Sequence, residues 1–210
     1  MSPTADGFAI TDLERGERVA AARVLGDAFL DDPVWSWIGP RRRGRRQLAN
    51  RVAYHAILVG SMRHEARIRT AREPGAPDGE ILGISVAFDP GEWPIPDSAT
   101  LLQAGWLLIA GPAPVRRGLR IDREMRSTHI SHPHVYLWFL ATAPAHQGRG
   151  VGRALLDDLH SHAAEIDTPC YLEASKEDNV PYYERSGYEV IGEVAVPDAP
   201  KLWRMERPGV

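Results

Sequence analysis

Residues 135–174 constrain the fold of this chain more than any other stretch. They run from an apolar segment through a glycine-rich turn into an amphipathic segment, then into a second apolar one. Val135-Tyr136-Leu137-Trp138-Phe139-Leu140-Ala141-Thr142 is apolar and aromatic on both faces, the pattern of a strand at the centre of a sheet. Residues 149–166 place Leu155, Leu156, Leu159, Ala163 and Ile166 at helical spacing, and residues 169–174 read as a strand again. Strand, helix and strand in that order predict a parallel pair joined by a right-handed crossover.

The remaining segments fit around this unit. Residues 8–10 read as a short strand. A helix is expected over 13–30, with Ala21, Leu25, Ala28 and Phe29 on one face, stopped at Asp31-Asp32-Pro33 because the residue before proline avoids the helical region. A second helix is expected over 42–64, with Leu48, Val52, Ala56 and Val59 as its face. Residues 67–72 and 80–88 form a hairpin around Pro74-Gly75-Ala76-Pro77-Asp78-Gly79. The proline-rich stretch 89–96 interrupts the sheet. A helical pattern over 98–129 breaks at Gly111-Pro112-Ala113-Pro114. A short helix over 180–185 and strands at 188–194 and 202–205 complete the chain. No repeat, low-complexity tract or linker divides it. The expected fold is α/β, one domain over 1–210, with a mixed central sheet of six or seven strands flanked by helices.

Composition narrows the function. The 210 residues are 43% hydrophobic and 25% charged, which suits a packed core and not a disordered chain. A net charge of −3 gives no general attraction to nucleic acid or to an anionic membrane. The one cysteine, Cys170, excludes an intramolecular disulfide and a thiolate metal cage. Met1-Ser2-Pro3-Thr4 lacks a basic start followed by an apolar run, and stretches such as Leu107-Leu108-Ile109-Ala110 are too short to span a bilayer. The cytoplasm is the simplest location these signals leave.

The chemistry concentrates in the turn Ala143-Pro144-Ala145-His146-Gln147-Gly148-Arg149-Gly150-Val151-Gly152-Arg153. Glycines let an anion approach the unpaired N–H groups and the positive dipole end of the helix that follows. This describes a diphosphate cradle. A P-loop would need Gly-Lys-Ser or Gly-Lys-Thr, and a dinucleotide fingerprint counted from Gly148 would need glycine where Arg153 stands. The pattern Gln/Arg-x-x-Gly-x-Gly/Ala reads without departure as Gln147-Gly148-Arg149-Gly150-Val151-Gly152. Downstream lie Leu172-Glu173-Ala174-Ser175 and Asn179-Val180-Pro181-Tyr182-Tyr183-Glu184-Arg185-Ser186-Gly187-Tyr188.

These two segments, in this order and spacing, resemble the GNAT acetyltransferases, with Tyr188 where that family usually has Phe. From Trp138 onward the chain resembles the puromycin-acetylating branch, in Trp138-Phe139-Leu140-Ala141-Thr142, Pro181-Tyr182-Tyr183-Glu184-Arg185, Val194-Ala195-Val196-Pro197 and Trp203-Arg204-Met205. The first two-thirds resembles it in layout alone, so the acceptor does not carry over.

The resemblance implies direct transfer of acetyl from acetyl-coenzyme A to an amine, with no metal. It implies that Leu140, Ala141 and Thr142 lie against the pantetheine arm. The N–H groups of Gln147, Gly148, Arg149, Gly150, Val151, Gly152 and Arg153 would meet the diphosphate, and Asn179 would contact the arm. Tyr183 matches the family's general acid; its plain alternative is a core aromatic. Tyr182 should point elsewhere, since adjacent helical residues diverge. Glu173, between core-facing Leu172 and Ala174, is either the base or a buried structural carboxylate. Asp31 and Asp32 either attract a cationic amine or end a helix, and Trp35 and Trp138 are candidates to line an acceptor pocket. The expected partner is a small-molecule amine such as an aminonucleoside-type antibiotic. A peptide acceptor and a non-catalytic acyl-coenzyme A sensor are the alternatives. Monomer and homodimer are both open.

Other signals carry less. Arg41-Arg42-Arg43-Gly44-Arg45-Arg46 reads as a solvated helix end. His129, His132 and His134 straddle Pro133 with no zinc spacing. Cys170 reads as buried filler. Trp37, Trp93 and Trp106 are core or pocket residues.

Overall fold

The computed structural model describes residues 7–76, 78–93 and 109–209. The chain order is β1 (Ala9–Asp12), α1 (Arg18–Ala28), α2 (Pro33–Ile38), α3 (Arg43–Arg63), β2 (Arg67–Arg72), β3 (Gly83–Phe88), α4 (Pro112–Thr128), β4 (Val135–Thr142), α5 (Val151–Glu165), β5 (Cys170–Ala174), α6 (Val180–Glu184), β6 (Glu189–Val194) and β7 (Leu202–Arg207). Trp106 and the expected helical residues 98–108 lie outside the described residues. Among the described residues, no helix is long and apolar enough to cross a membrane.

Seven strands form one mixed sheet in the order β1-β2-β3-β4-β5-β7-β6. β4 and β5 are the parallel pair, joined by α5 as expected. The neighbouring pairs are antiparallel, including the β2–β3 hairpin. β7 lies between β5 and β6, so the last strand fills a slot inside the sheet. Helices cover both faces. Ala21 and Leu25 of α1 and Tyr54 and Leu58 of α3 pack with Ile84, Val86 and Tyr136 on one face. Leu156, Leu159 and Ala163 of α5 pack with Val135, Leu137 and Leu172 on the other.

The central strand is irregular in one decisive place. Val86 of β3 pairs with Phe139 and Ala87 with Leu137, leaving Trp138 as an extra residue in β4. A bulge of this kind reverses the alternation of side chains beyond it. Tyr136 and Phe139 consequently join one core cluster, while Val135 and Leu137 belong to another. Pairing of β4 with β5 stops at the same point, at Leu137 with Leu172. Beyond it β4 stays paired to β3 as far as Thr142, while β5 goes on with β7 to Ala174. The sheet therefore splays open between β4 and β5.

Several expected boundaries move. The first strand begins at Ala9, not at Phe8. The single helix over 13–30 is a 3-10 turn at Arg15–Glu17 followed by α1. Asp31-Asp32-Pro33 then opens a new helix, because proline suits a first helical position and the Asp32 side chain accepts from the Trp35 N–H. Of the expected α3 face only Ala56 is buried: Leu48 is exposed and Val52 and Val59 are half-buried, whereas Asn50, Tyr54 and Ser61 are fully buried. Polar side chains turned inward defeat a reading based on apolar periodicity. Strand 80–88 starts at Gly83, α5 starts at Val151, and Ile166 is 41% exposed. The arginine run is partly tied down: Arg45 donates to the Ile109 carbonyl, and Arg46 to those of Leu30 and Pro40.

Candidate active site

At the end of β4 the chain makes a short turn at Pro144–His146 and enters α5 through two left-handed glycines, Gly148 (φ 76°) and Gly150 (φ 88°). That region costs a side-chain-bearing residue conformational strain, which glycine escapes. Gly150 is the N-cap, and no side chain caps the helix. The first-turn N–H groups of Val151, Gly152 and Arg153 therefore have no intrahelical partner and suit an anion. Gly152 faces Thr142 and the Tyr182 hydroxyl; a Cβ there would lie 3.4 and 3.3 Å from their oxygens. Arg149 reaches Glu73 at 2.8 Å and His146 at 3.0 Å, and Arg153 reaches Asp157 at 2.9 Å. Gln147 is exposed.

The splay opens into a cavity of about 310 Å³. Phe29, Trp35, Trp93, Trp138 and Phe139 give it aromatic walls, and Asp32, Glu173, Ser175, Asn179 and Tyr183 supply polar groups. Leu140 also lines it. Ala141 is buried against the sheet, and Thr142 sits at the glycine turn. The cavity thus gathers Asp32, Trp35, Trp138, Leu140, Glu173, Asn179 and Tyr183 from distant parts of the sequence. Asp31 is excluded. It is exposed and ion-paired with Arg43 at 2.7 Å, because adjacent residues at a helix start point in different directions.

Asp32, Glu173, Tyr136 and Tyr183 line this space in different states. Asp32 is 1% exposed; its carboxylate accepts from the Trp35 N–H at 3.0 Å and from the Ser175 hydroxyl. Burial raises its pKa above the ordinary value, against the lowering effect of those hydrogen bonds. Glu173 accepts a 2.6 Å bond from the Tyr136 hydroxyl, and its side chain is 2% exposed. Burial and then the Glu173 charge raise the Tyr136 pKa, so that phenol stays a donor. Burial also raises the pKa of Tyr183, with its neighbour Tyr182 adding to the shift. Tyr183 is therefore protonated at any physiological pH and fit to donate. Tyr182 points away from the cavity towards Gly152, as expected.

Cys170 is fully buried, and burial pushes its thiol up to about 11, which suits filler and not a nucleophile. Among the described residues no group of three or more His, Cys, Asp or Glu is arranged to hold a metal.

A family model described as an acetyltransferase (GNAT) domain matches residues 117–190, which include the glycine turn, β5 and the Tyr183 helix. Over that segment the chain is similar to the GNAT acetyltransferases. An uncharacterized N-acetyltransferase of Schizosaccharomyces pombe is 41% identical over 78 residues, which are 36% of this chain and 32% of that relative. The chain thus matches about a third of that relative's length. The fold is similar to a solved structure of histone acetyltransferase HPA2 and related acetyltransferase from Corynebacterium glutamicum, with TM-score 0.74, 23% identity and 97% of each chain covered. It is also similar to the PaiA N-acetyltransferase of Thermoplasma acidophilum, solved with coenzyme A, with TM-score 0.58, 13% identity and 99% of each chain covered. Both likenesses are likenesses of fold, a mixed sheet with flanking helices.

Sequence reasoning missed several wall residues. Apolar spacing puts Phe29 on a helix face, and it marks neither Tyr136 nor Ser175 as a wall residue. His129, which has no zinc spacing, lies behind Glu173, with its Nδ1 3.6 Å from Glu173 Oε1. His132, His134 and Tyr136 alternate at strand period into β4, but that alternation does not reach His129, which no local pattern marks.

Proposed function

We propose that this chain transfers acetyl from acetyl-coenzyme A to the primary amine of a small molecule with an apolar, aromatic body. The observation that carries this reading is the aromatic-walled cavity at the splay, with buried carboxylates in its lining. A pocket of this kind fits a compact apolar ligand bearing one or two polar groups.

The splayed edge of β4 leaves backbone groups near Leu140, Ala141 and Thr142 free of β5, available to pair with the pantetheine arm and to polarise the thioester carbonyl. The first-turn N–H groups of α5 bind the diphosphate, with Gln147, Arg149 and Arg153 around it and Asn179 beside the arm. The fit rests on the uncapped helix start and its two left-handed glycines. Asp32 attracts the ammonium form of the acceptor. Glu173 takes a proton from that ammonium, leaving the electron pair on nitrogen for attack on the carbonyl carbon. As the carbon–sulfur bond breaks, Tyr183 gives its proton to the thiolate and regains one from the acylated nitrogen. The products are an amide, the free thiol and one proton released to solvent.

The test is a thiol-release assay with acetyl-coenzyme A against a panel of amines. Puromycin is included, because the C-terminal third resembles enzymes that acetylate this aminonucleoside. Tyr183→Phe should keep coenzyme A affinity and lose turnover by about 100-fold or more. Turnover unchanged in that variant removes Tyr183 from the mechanism. Tight coenzyme A binding with no amine turned over would favour a peptide acceptor or a sensor.

A further inference from the structure

Behind Glu173, on the side away from the glycine turn, a chain of histidines runs from the cavity towards the surface. The His134 Nδ1 lies 2.8 Å from the His132 carbonyl oxygen. A carbonyl accepts and never donates, so that nitrogen carries a proton. Burial lowers the His134 pKa, so its ring is neutral and its Nε2 is a lone-pair acceptor. His129 Nε2 lies 2.9 Å from that acceptor and must donate to it. The remaining His129 nitrogen, Nδ1, is buried without a hydrogen-bond partner, and so is Glu173 Oε1. These two atoms face each other at 3.6 Å. Two bare lone pairs in that position would repel, and each would forfeit its solvation. One proton belongs between them.

The surroundings decide where it resides. Trp93 stacks on the His129 ring with centroids 4.2 Å apart, and the Arg126 guanidinium lies on Trp93, 5.5 Å from its centroid. Tyr136 and Tyr171 meet the ring edge-on, each at 4.8 Å. Among the described residues, the anion set against the His129 ring is Glu173, and Tyr136 donates to its other oxygen. His132 turns outward to Glu206 at 2.5 Å and supplies the inner chain with its carbonyl alone.

Resting on the acetyl-transfer reading, we propose that His129 is a positioning residue that holds Glu173 as a carboxylate. It does so as a doubly protonated ring, oriented by His134, with its Nδ1–H set against Glu173 Oε1. Without that cation, a carboxylate in an aromatic cavity favours its neutral acid form and cannot take the acceptor's proton. With it, the buried group of Glu173, His129 and His134 is electroneutral at rest. The proton that Glu173 accepts comes from the substrate ammonium, whose electron pair stays on nitrogen.

The decisive measurement is histidine-selective 15N NMR at about pH 7.5, where an ordinary histidine is neutral. A ring with protons on both nitrogens should be present and assignable to His129. Its signals should vanish in His129→Phe and become those of a neutral ring in Glu173→Gln. A neutral His129 in the unaltered protein, or a doubly protonated ring indifferent to Glu173→Gln, overturns the proposal. The kinetic arm uses 2-phenylethylamine as acceptor. His129→Phe should lower kcat about 100-fold with coenzyme A binding retained, and added imidazole should restore at least about tenfold to His129→Ala. Unchanged kcat, or no rescue of a folded, coenzyme A-binding His129→Ala, also overturns it. An unaltered protein that acetylates no amine defeats the acetyl-transfer reading instead, and the NMR result, which needs no acceptor, still decides the charge state of the pair.

Discussion

The buried Asp32 carboxylate sets stability against function. Its pKa is raised by burial, so the folded state prefers the protonated acid. Its stabilising contribution is full below the ordinary value of 3.8 and is lost as pH rises through the raised value. At pH 7 the fold therefore holds an ionised group at a cost, which a cationic ligand would relieve. Asp32→Asn keeps a good helix N-cap without the charge. Its urea midpoint at pH 7 should equal or exceed that of the unaltered protein, while the KM for a cationic acceptor rises about tenfold or more, the loss of one charge-assisted bond. A lowered midpoint with unchanged KM would assign Asp32 to structure alone. The sequence marks Asp32 as an acid before a proline, and that much was legible. Its difference from Asp31 was not, because one turns into the cavity and the other out to Arg43 through a helix start that apolar periodicity cannot register.

Among the elements, the joint between β3, β4 and α5 governs the anion cradle. Gly83 on β3 sits beneath the start of α5. A Cβ there would fall 2.6 Å from Val151 Cγ1, 2.9 Å from the Ala141 carbonyl oxygen and 3.1 Å from Leu155 Cδ1. The backbone contact cannot rotate away, so Gly83→Ala must push the helix start off the sheet. It should cost about 1–3 kcal/mol, read by chemical denaturation. It should also weaken coenzyme A binding in calorimetry, since Val151 carries one of the first-turn N–H groups. Stability lost with affinity intact would separate the joint from the cradle. The strands and helices around this joint were legible because their patterns repeat over many residues. The bulge was not: Val135–Thr142 is apolar on both faces, so an extra residue at Trp138 leaves the pattern unchanged while it reverses the facing of everything after it. The six-residue helix α2 was too short for periodicity to reveal.

At the scale of the whole molecule, acid should loosen the packing of α5 against the far end of the sheet. His160 on α5 lies 3.1 Å from the Tyr188 hydroxyl just before β6. Burial, then the charges of Arg207 and Arg153, lower its pKa from 6.5 to about 4. A depressed pKa gives stability that is present above 6.5 and is lost as pH falls towards 4, because the unfolded chain takes up the proton first. Allowing for partial exposure, the loss is about 2 kcal/mol. Urea midpoints measured across that window should fall in the unaltered protein and flatten in His160→Gln; equal slopes would place the acid sensitivity elsewhere. The mixed sheet and its parallel pair followed from the order of segments, but the place of β7 did not, since antiparallel neighbours leave no local mark of their order. That placement bears on how the molecule is made. β6 joins the sheet through β7, and β7 occupies the edge of β5. A growing chain leaving the ribosome holds the outer edge of β5 unpaired and β6 unattached until Leu202–Arg207 emerges. The far side of the sheet then closes in one late step, and a nascent chain stalled a few residues short of it presents two open strand edges to its neighbours.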